Sequence, residues 1–453
     1  MTADLAHAPI RLSTLLRLAG PVMASRIGIM AMGLVDTVCV GRYSATQLGF
    51  HALGWAPTGV ILVTAIGLLG GIQVLTAQAI GEGRDVETGA VLRRGLVYAF
   101  WLGVAVSLLI AGAGPWFLSH IGLAPELAAG AAPVLRVFAI SLLPILVADA
   151  GMFWLEAQGQ PTRGTIAMWA ANGVNLALNL WLVPGHSPFP VDGAVASAWA
   201  TAVSRVALLG FVAWAIVGWR QARALGAFDK PAPDPAAGPA LRRIGYASAL
   251  SYFIEVSAFS GMAIIAGWIG AQAVATWAIV VNFAALVFMG PLGLAAATGV
   301  LVGRAWGAGD AAGVRRAGRL GFGAALVLTL AVCLVVALGS ELIASGYTRD
   351  PGVRAAAAAA LLLSCGFFVG DGLQVIGAQA LRSANDIWVP TMTHFVSYTL
   401  VMVPCALLFG IRMGGGVEGI VWALIVASVV SAGLLGARFA WVTRRRVGGA
   451  VTA

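Results

Sequence analysis

The amino-acid sequence predicts an all-α membrane protein with twelve transmembrane helices, arranged in two six-helix lobes related by pseudo-twofold symmetry. Three observations support this fold class. Of the 453 residues, 60% are apolar and only 10% are charged, whereas a soluble domain has roughly 25% charged residues. Twelve apolar segments are each long enough to cross a bilayer. The first half of the chain also resembles the second half.

The twelve predicted spans follow one another with short connections, with one exception. Segments near the required length of about 20 apolar residues cover approximately 15–40, 52–78, 95–119, 132–156, 163–183, 194–219, 245–268, 276–303, 320–343, 355–380, 388–410 and 416–440. The longer connection is rich in proline and charge, as expected of a linker. The sequence therefore predicts an N-terminal lobe (1–219), a cytoplasmic linker (220–243) and a C-terminal lobe (244–453).

The distribution of basic residues predicts the orientation of these spans. Twenty of the 27 Lys and Arg residues fall in loops on one side of the membrane, and four fall on the other side, namely Arg42, Arg349, Arg354 and Arg412. Basic residues accumulate on the cytoplasmic side of a membrane. We therefore expect both termini to be cytoplasmic, in the inner membrane. The positive net charge of +9 is then a topology signal and gives no indication of a nucleic-acid partner.

An internal repeat relates the two halves. Shifted by 226 positions, residues 33–95 align without a gap with residues 259–321, and glycines and arginines are prominent among the identities. Gly67 aligns with Gly293, for example, and Arg93 with Arg319. Six spans return the chain to its starting side, so the halves insert in the same orientation. This is the arrangement of transporters built from parallel repeats.

Carboxylates within the spans are the leading candidates for function, because an ionised carboxylate in hydrocarbon is costly and usually faces a cavity or a partner. Asp36 lies in the first span. Three amides follow helical spacing on the fifth span and either join helices or form a cavity around Asp36; they are Asn172, Asn175 and Asn179.

A second carboxylate pair lies in the C-terminal lobe. Glu255 and Asp371, with Asn282 and Gln374 as further oxygen ligands, are predicted either to bind a hard cation such as sodium or to share a proton. Asp149 is expected to form a structural pair with Arg136 or another helix, or to act in transport. Glu156 is expected at the cytoplasmic interface, close to the polar stretch 158–161.

Two prolines and two apolar residues complete the predicted machinery. Pro21 and Pro291 are predicted to kink the first and eighth spans, because proline removes a helical hydrogen bond. Phe288 and Met289 are candidates for the lining of an apolar drug cavity, where a flexible thioether suits varied ligands.

The sequence argues against an enzyme and against an ATP-driven pump. It has no HExxH and no GxSxG motif, and its one lysine, Lys230, is not part of a phosphate-binding loop. The four cysteines show no metal-ligand spacing. We expect no cofactor other than sodium or protons as the coupling ion.

Four stretches resemble the multidrug and toxic compound extrusion (MATE) family, and together they cover most of the chain in the order of that family. They are "LAGPVMASRIGIMAMGLVDTVCVGRYSATQLGFHALG", "AQGQPTRG…ANGVNLALNLWLVPG…FPVDGAVASAWATAVSR", "NFAALVFMGPLGLAAATGVLVGRAWGAGD" and "ALRSANDIWVPTM…VPCALLFGIRMGGGVEGIVWAL". The resemblance implies a multidrug efflux transporter that exports drug-like, often cationic compounds by sodium or proton antiport. We expect it to act as a monomer, in the bilayer, on small amphiphilic or cationic substrates.

The carboxylates resemble those of the bacterial NorM-type branch of this family. That resemblance implies ion coupling by Asp36, Glu255 and Asp371, with sodium, which we favour over protons, bound by the last two. The branch usually has Arg-Gly where Arg382-Ser383 stands here, so the local geometry is expected to differ. The alternative function is that of a flippase or exporter of lipid-linked or other amphiphilic precursors.

Overall fold

A computed structural model describes residues 7–185, 188–230 and 234–450 of the chain, with only the backbone described for 445–450. Within these residues the protein is almost entirely helical and contains no strand. The first half provides six long helices: α1 Leu12–Tyr43, α2 Ala45–Gly81, α3 Glu87–His120, α4 Pro125–Ala157, α5 Pro161–Leu182 and α6 Gly193–Val217.

A short helix, Arg220–Ala224, begins the connection to the second half. The second half provides α7 Ala237–Ile269, α8 Ala271–Gly307, α9 Ala311–Tyr347, α10 Pro351–Ser383, α11 Trp388–Arg412 and α12 Gly416–Ala450. Prolines occupy the first turns of α4, α5 and α10, where the missing N–H has no helical partner in any case. The Asp310 and Asp350 side chains cap α9 and α10 by accepting from backbone N–H groups.

The twelve long helices confirm the predicted fold class. Eleven of the helices in the described part of the chain are long and apolar enough to cross a membrane. The remaining one, α5, has 22 residues and is about 33 Å long at 1.5 Å per residue. Its three asparagines lower its hydropathy, so its composition marks it as a span less clearly than that of the other eleven.

Interruptions of the helices occur away from the two prolines that we expected to kink them. Both α1 and α8 continue through Pro21 and Pro291. Helix α2 is broken at Leu69, between Ala45–Leu68 and Gly70–Gly81, and α9 has a non-helical residue at Gly339. Helix α11 contains two π-helical stretches, Phe395–Met402 and Leu407–Arg412. The predicted kinks at the prolines remain a prediction.

Packing divides the chain into two compact units. Residues 24–249 form the first unit, and residues 7–23 together with residues from 250 onward form the second. The boundaries inside α1 and α7 fall after Met23 and after Ala249, which lie 226 positions apart, the offset of the sequence repeat. The predicted lobe boundaries at 219 and 244 follow the sequence rather than this packing and remain a prediction.

The break in α2 coincides with a close approach of α7 within the first unit. A Cβ atom at Gly245 would lie 2.2 Å from the Leu68 carbonyl oxygen, and one at Gly71 would lie 2.4 Å from the Leu241 carbonyl oxygen. Only glycine allows two backbones to approach so closely. In the second unit, a Cβ atom at Gly293 would lie 2.7 Å from the backbone nitrogen of Met23.

Each unit has its own apolar core, and large apolar side chains also cover the outside. In the first unit Leu142 and Trp154 are fully buried, as are Tyr398 and Met402 in the second. Trp214 is 76% exposed and Leu338 is 82% exposed. Such an apolar exterior suits a lipid environment, because hydrocarbon does not penalise it.

Candidate functional site

The first unit contains a buried polar cluster, the Asp36 cluster, formed by Asp36, Asn175, Asn179 and Thr201. Asp36 on α1 is only 3% exposed. Its Oδ1 accepts hydrogen bonds from Asn175 Nδ2 at 3.0 Å and from Asn179 Nδ2 at 2.8 Å. Its Oδ2 accepts a hydrogen bond from the Thr201 hydroxyl on α6. Two helices, α5 and α6, thus supply donors to a single carboxylate on α1.

The sequence places these donors by simple helical geometry. Asn175 and Asn179 are four residues apart and therefore lie on one face of α5. Asn179 is oriented in turn by Ser197, whose hydroxyl donates to Asn179 Oδ1 at 2.7 Å. The Thr201 hydroxyl is both a donor and an acceptor, so after rotation it can accept from a protonated Asp36. The cluster therefore accommodates either protonation state of Asp36.

Asn172 was predicted in the same cavity, but the structure gives it a different contact. Its Nδ2 donates to the backbone oxygen of Met168 at 2.9 Å, and its Oδ1 has no partner. Asn172 precedes Asn175 by nearly one helical turn, about 4.5 Å along α5, and makes no direct hydrogen bond to Asp36 within the described residues. It therefore lies next to the Asp36 cluster and is not one of its members.

A second buried network, the Arg26 network, comprises Arg26, Gln73, Asp149 and Glu156. Arg26 Nη2 lies 3.1 Å from Glu156 Oε1, and Gln73 Nε2 donates to Glu156 Oε2 at 2.7 Å. Asp149 is 1% exposed, and within the described part of the chain neither of its oxygens has a hydrogen-bond partner. Arg26 and Arg205 lie close enough to attract the charge of Asp149. This attraction offsets part of the free-energy cost of burying the carboxylate.

This network bears on two predictions. Glu156, the penultimate residue of α4, is 5% exposed and paired with Arg26, and its place at the cytoplasmic interface remains a prediction. Asp149 does not pair with Arg136, which is exposed. These two residues are 13 positions apart on α4, about 20 Å at 1.5 Å per residue, so a single helix cannot bring them together.

Arg205 on α6 links the two groups of residues in the first unit electrostatically. Its guanidinium lies within range of both Asp36 and Asp149. Its Nη1 donates to Ser141 Oγ at 2.6 Å, and its Cζ lies 5.5 Å from the ring centre of Trp55. In the sequence, Arg205 is an isolated charge inside the predicted span 194–219, and no local pattern indicates its partners.

The second unit contains the Glu255 cluster, formed by Glu255, Asp371, Gln374 and Tyr398. Glu255 on α7 is half-buried, and Asp371 on α10 is 6% exposed. The two carboxylates lie within range of each other's charge. Gln374 Nε2 donates to Asp371 Oδ1 at 3.1 Å, which agrees with the predicted proximity of these two residues.

The cluster offers further oxygen atoms that are not engaged. Gln374 Oε1 is buried and has no hydrogen-bond partner among the residues that the structure describes. The Tyr398 hydroxyl lies beside both carboxylates but meets neither at regular hydrogen-bond geometry. Tyr398 lies in the first π-helical stretch of α11, Phe395–Met402, and such stretches are frequent at functional sites. Two carboxylates, an amide oxygen and a phenol oxygen together form a donor set that suits a hard cation.

A buried arginine, which sequence analysis counted among the loop charges, compensates part of this negative charge. Arg382 is 2% exposed and lies within range of Glu255. Its Nη2 donates to Ser251 Oγ at 2.7 Å, and Ser251 Oγ lies 2.7 Å from His394 Nδ1. Arg382, the residue before Ser383, at which the chain departs from the family pattern, therefore has a structural partner in Ser251.

Three further residues that were predicted to line the ion or drug cavity lie on α8: Asn282, Phe288 and Met289. The Asn282 side chain is exposed, and its Oδ1 accepts from the Tyr347 hydroxyl at 2.9 Å. That contact gives Asn282 a partner outside the Glu255 cluster, contrary to the prediction that it completes the ligand set. Phe288 and Met289 are half-buried, and their proposed role in lining a drug cavity remains a prediction.

The charges of each group sum to minus one. In the first unit, the buried charged residues are three acids and two arginines: Asp36, Asp149, Glu156, Arg26 and Arg205. In the second unit, the formal charges of Glu255, Asp371 and Arg382 sum to minus one, and Arg382 lies close enough to Glu255 to attract its charge. An uncompensated charge is costly in hydrocarbon. One monovalent cation or one proton is enough to bring the formal charge of each group to zero.

Comparison with known proteins agrees with this architecture. The MatE family model matches residues 21–181 and 247–408, and the two matches begin 226 positions apart. The chain is 49% identical over 425 residues to "Probable multidrug resistance protein NorM" of Caulobacter vibrioides, covering 94% of this chain and 90% of that protein. A protein of the same name from Bradyrhizobium diazoefficiens is 32% identical over 450 residues, covering 96% and 94% of the two chains.

A solved structure has the same fold. It is described as the outward-facing conformation of a multidrug resistance MATE family transporter of the MOP superfamily. It aligns with a TM-score of 0.89 at 20% identity and covers 98% of each chain. Because the family model matches more than half of the chain and these relatives align with nearly all of it, the chain belongs to the MatE family of transporters.

Proposed function

We propose that this protein exports small amphiphilic, often cationic drugs across the cytoplasmic membrane in exchange for a monovalent cation, with alternating access of the binding site. Sodium is the favoured coupling ion, and the Glu255 cluster is its proposed site. The relatives named as probable multidrug resistance proteins support the substrate class. The charge bias of the loops supports an orientation with both termini in the cytoplasm.

The observation that carries this proposal is the composition of the Glu255 cluster. The atoms of this cluster that are free to bind a cation are all oxygens. The formal charges of its two acids and of Arg382 sum to minus one. Binding of one sodium ion makes the group neutral and satisfies Gln374 Oε1 and the Tyr398 hydroxyl, which otherwise lack partners. A cationic drug that benefits from the same negative charge binds less well once sodium is present, and linkage makes this antagonism reciprocal.

The Asp36 cluster is proposed as the second coupling site. Its amide nitrogens and the Thr201 hydroxyl are neutral and already engaged with the carboxylate. Among the described residues, Asn175 Oδ1 is its one amide oxygen without a partner, against Gln374 Oε1 and the Tyr398 hydroxyl in the Glu255 cluster. The reversible threonine hydrogen bond of the Asp36 cluster suits a proton better. We also propose that one chain is the functional unit, because each candidate site is formed within a single chain.

Transport in proteoliposomes tests the coupling ion. Efflux of a fluorescent organic cation is measured under an inward sodium gradient with equal pH on both sides. We expect sodium to stimulate efflux by the wild type, and Glu255→Gln and Asp371→Asn each to abolish that stimulation. The double variant should lose little more, because the pair acts as a unit. Glu341→Gln is the control, since it removes one acid whose side chain is 71% exposed.

The opposite result would reassign the pair. If efflux by the wild type ignores sodium and follows an imposed proton gradient, the sodium assignment is wrong and the carboxylates carry a proton instead. If neither gradient drives efflux of several organic cations, the proposed antiport itself is wrong.

A further inference from the structure

A long groove lies on the second unit between α9, α10 and α12. Its volume is about 700 Å³. We infer that this groove binds an anionic phospholipid, with an acyl chain along its apolar walls and the phosphate against Arg315, Arg319 and Arg444. The inference concerns the lipid surroundings of the transporter and is independent of the coupling ion proposed above.

The walls of the groove are apolar, and small residues make it deep. Glycines line both α10 and α12 along its length, including Gly366, Gly370, Gly433 and Gly436. On α12 the lining runs from Val429 to Thr443, which is 14 residues or about 21 Å at 1.5 Å per residue. One leaflet contributes about half of the 30 Å hydrocarbon core. The groove is therefore long enough for one acyl chain of the adjacent leaflet.

Positive charge is concentrated at one end of the groove. Arg315 and Arg319 lie one turn apart near the start of α9, and Arg444 lies near the end of α12. Among the described residues, none of the three has an acidic partner. The neighbouring acid Asp386 is already paired with Arg438 at 2.6 Å. Arginine binds phosphate strongly because its planar donors match the phosphate oxygens.

The position of these three arginines favours an anionic lipid over a soluble anion as the ligand of the groove. They lie at the end of the helices that the loop charges predict to be cytoplasmic, at headgroup depth, with the apolar groove extending from them into the hydrocarbon. Basic pockets between transmembrane helices at this level bind anionic lipid headgroups. A soluble anion would satisfy the arginines but would leave the apolar groove unfilled.

The repeat gives an internal comparison. Arg93 in the first unit corresponds to Arg319 by the 226-residue offset, but Arg93 donates to the backbone oxygen of Gly226, and the adjacent Arg94 pairs with Asp234 at 3.6 Å. The linker thus supplies partners to the arginines of the first unit. The arginines of the second unit are left available for an external phosphate.

Native mass spectrometry of the full-length protein in detergent tests the inference. The probes are phosphatidylglycerol and phosphatidylcholine with identical acyl chains, and soluble glycerol phosphate. We expect the wild type to prefer phosphatidylglycerol and to bind glycerol phosphate much more weakly. Each basic residue near an anionic membrane surface contributes about 1 kcal/mol, or roughly fivefold in affinity. The variant Arg315→Gln/Arg319→Gln/Arg444→Gln should therefore lose the preference.

Matched variants separate the headgroup from the acyl chain. Arg349→Gln/Arg354→Gln/Arg412→Gln removes the same charge at the opposite end of the helices and should keep the preference. Gly433→Leu should weaken binding of both lipids. Gly433 lines the groove, and a Cβ atom there meets nothing within 4 Å, so the leucine side chain can extend into the space of the acyl chain. Gly323→Leu, at a glycine of α9 that is equally unobstructed and lies outside the groove, is its control.

The inference is overturned if the arginine variant keeps the wild-type preference, or if Gly433→Leu binds both lipids as the wild type does. Equal affinity of the wild type for glycerol phosphate and phosphatidylglycerol would also overturn it, because the groove would then contribute nothing. If the triple variant does not fold, Arg319→Gln alone, at an exposed position, provides the same comparison.

Discussion

Asp36 is held by donors that tolerate a change in its charge. An asparagine at this position keeps one oxygen to accept from Asn175 and Asn179, and its new N–H can donate to the Thr201 hydroxyl. We therefore expect Asp36→Asn to fold and express normally but to lose most drug resistance in a susceptible host, because an amide neither ionises nor releases a cation. Growth in the presence of drug, normalised to expression, measures this.

Asn172→Ala is the matched control for Asp36→Asn. Asn172 is buried near the same cluster but makes no hydrogen bond to Asp36, so resistance should be largely retained. Full resistance of Asp36→Asn at equal expression would reduce Asp36 to a packing residue.

The Arg26 network predicts unequal effects of its two ion-pair partners on stability. Arg26→Gln leaves Glu156 without its cation and leaves Asp149 with Arg205 alone, whereas Glu156→Gln leaves Arg26 with Asp149 and keeps an acceptor for Gln73. Removing one partner of a buried ion pair costs about 3–5 kcal/mol, and we expect Arg26→Gln to reach that range and Glu156→Gln to stay below it. Thermal unfolding in detergent, followed by tryptophan fluorescence, ranks them. The reverse order would contradict this account of the network.

The residues of the two clusters differ in how far sequence could identify them. Helical spacing placed Asn175 and Asn179 on one face. The cost of charge in hydrocarbon pointed to five acids in or near the spans, and the resemblance to the family selected Asp36, Glu255 and Asp371 among them. The pairing of Arg26 with Glu156 spans 130 positions and leaves no local pattern. A charged residue near a span end can face either water or a partner, and only tertiary packing decides between them.

At the scale of the helices, apolar length predicted every long helix, but not its interruptions. Two prolines suggested kinks, whereas the breaks lie at Leu69 and Gly339 and π-helical turns appear in α11. Helix breaks arise from contacts with neighbours as well as from residue type. Tyr398 was missed for the same reason, since its position beside Glu255 and Asp371 depends on the packing of α11.

The approach of α7 to the break in α2 makes Gly245 intolerant of a side chain. We expect Gly245→Ala to lower the unfolding temperature, because its Cβ would lie 2.2 Å from the Leu68 carbonyl oxygen and overpacking costs about 1–3 kcal/mol. The same substitution at Gly261, also on α7, meets nothing within 4 Å and should be neutral or slightly stabilising. Equal thermal stability of the two variants would show that the close approach does not constrain the fold.

At the scale of the whole molecule, the charge bias predicts which side each connection faces. In a background without Cys39, Cys333, Cys365 and Cys405, single cysteines at Ala236 and Met413 should react with an impermeant thiol reagent from opposite sides. Both positions are exposed, Met413 at 70%. Ala236 should react only after the cells are opened. Labelling of both positions in intact cells would refute the twelve-span topology.

The grouping of residues 7–23 with the second unit also bears on biosynthesis. The ribosome releases this stretch well before the second half, and the other residues of its unit begin only at Leu250. At about 5–20 residues per second, the 227 residues from Met23 to Leu250 require roughly 10 to 45 seconds of translation. During that interval the start of α1 has none of its final neighbours from the second half. The nascent first half must therefore survive in the bilayer with an incomplete surface, which is where chaperones and membrane proteases would act on it.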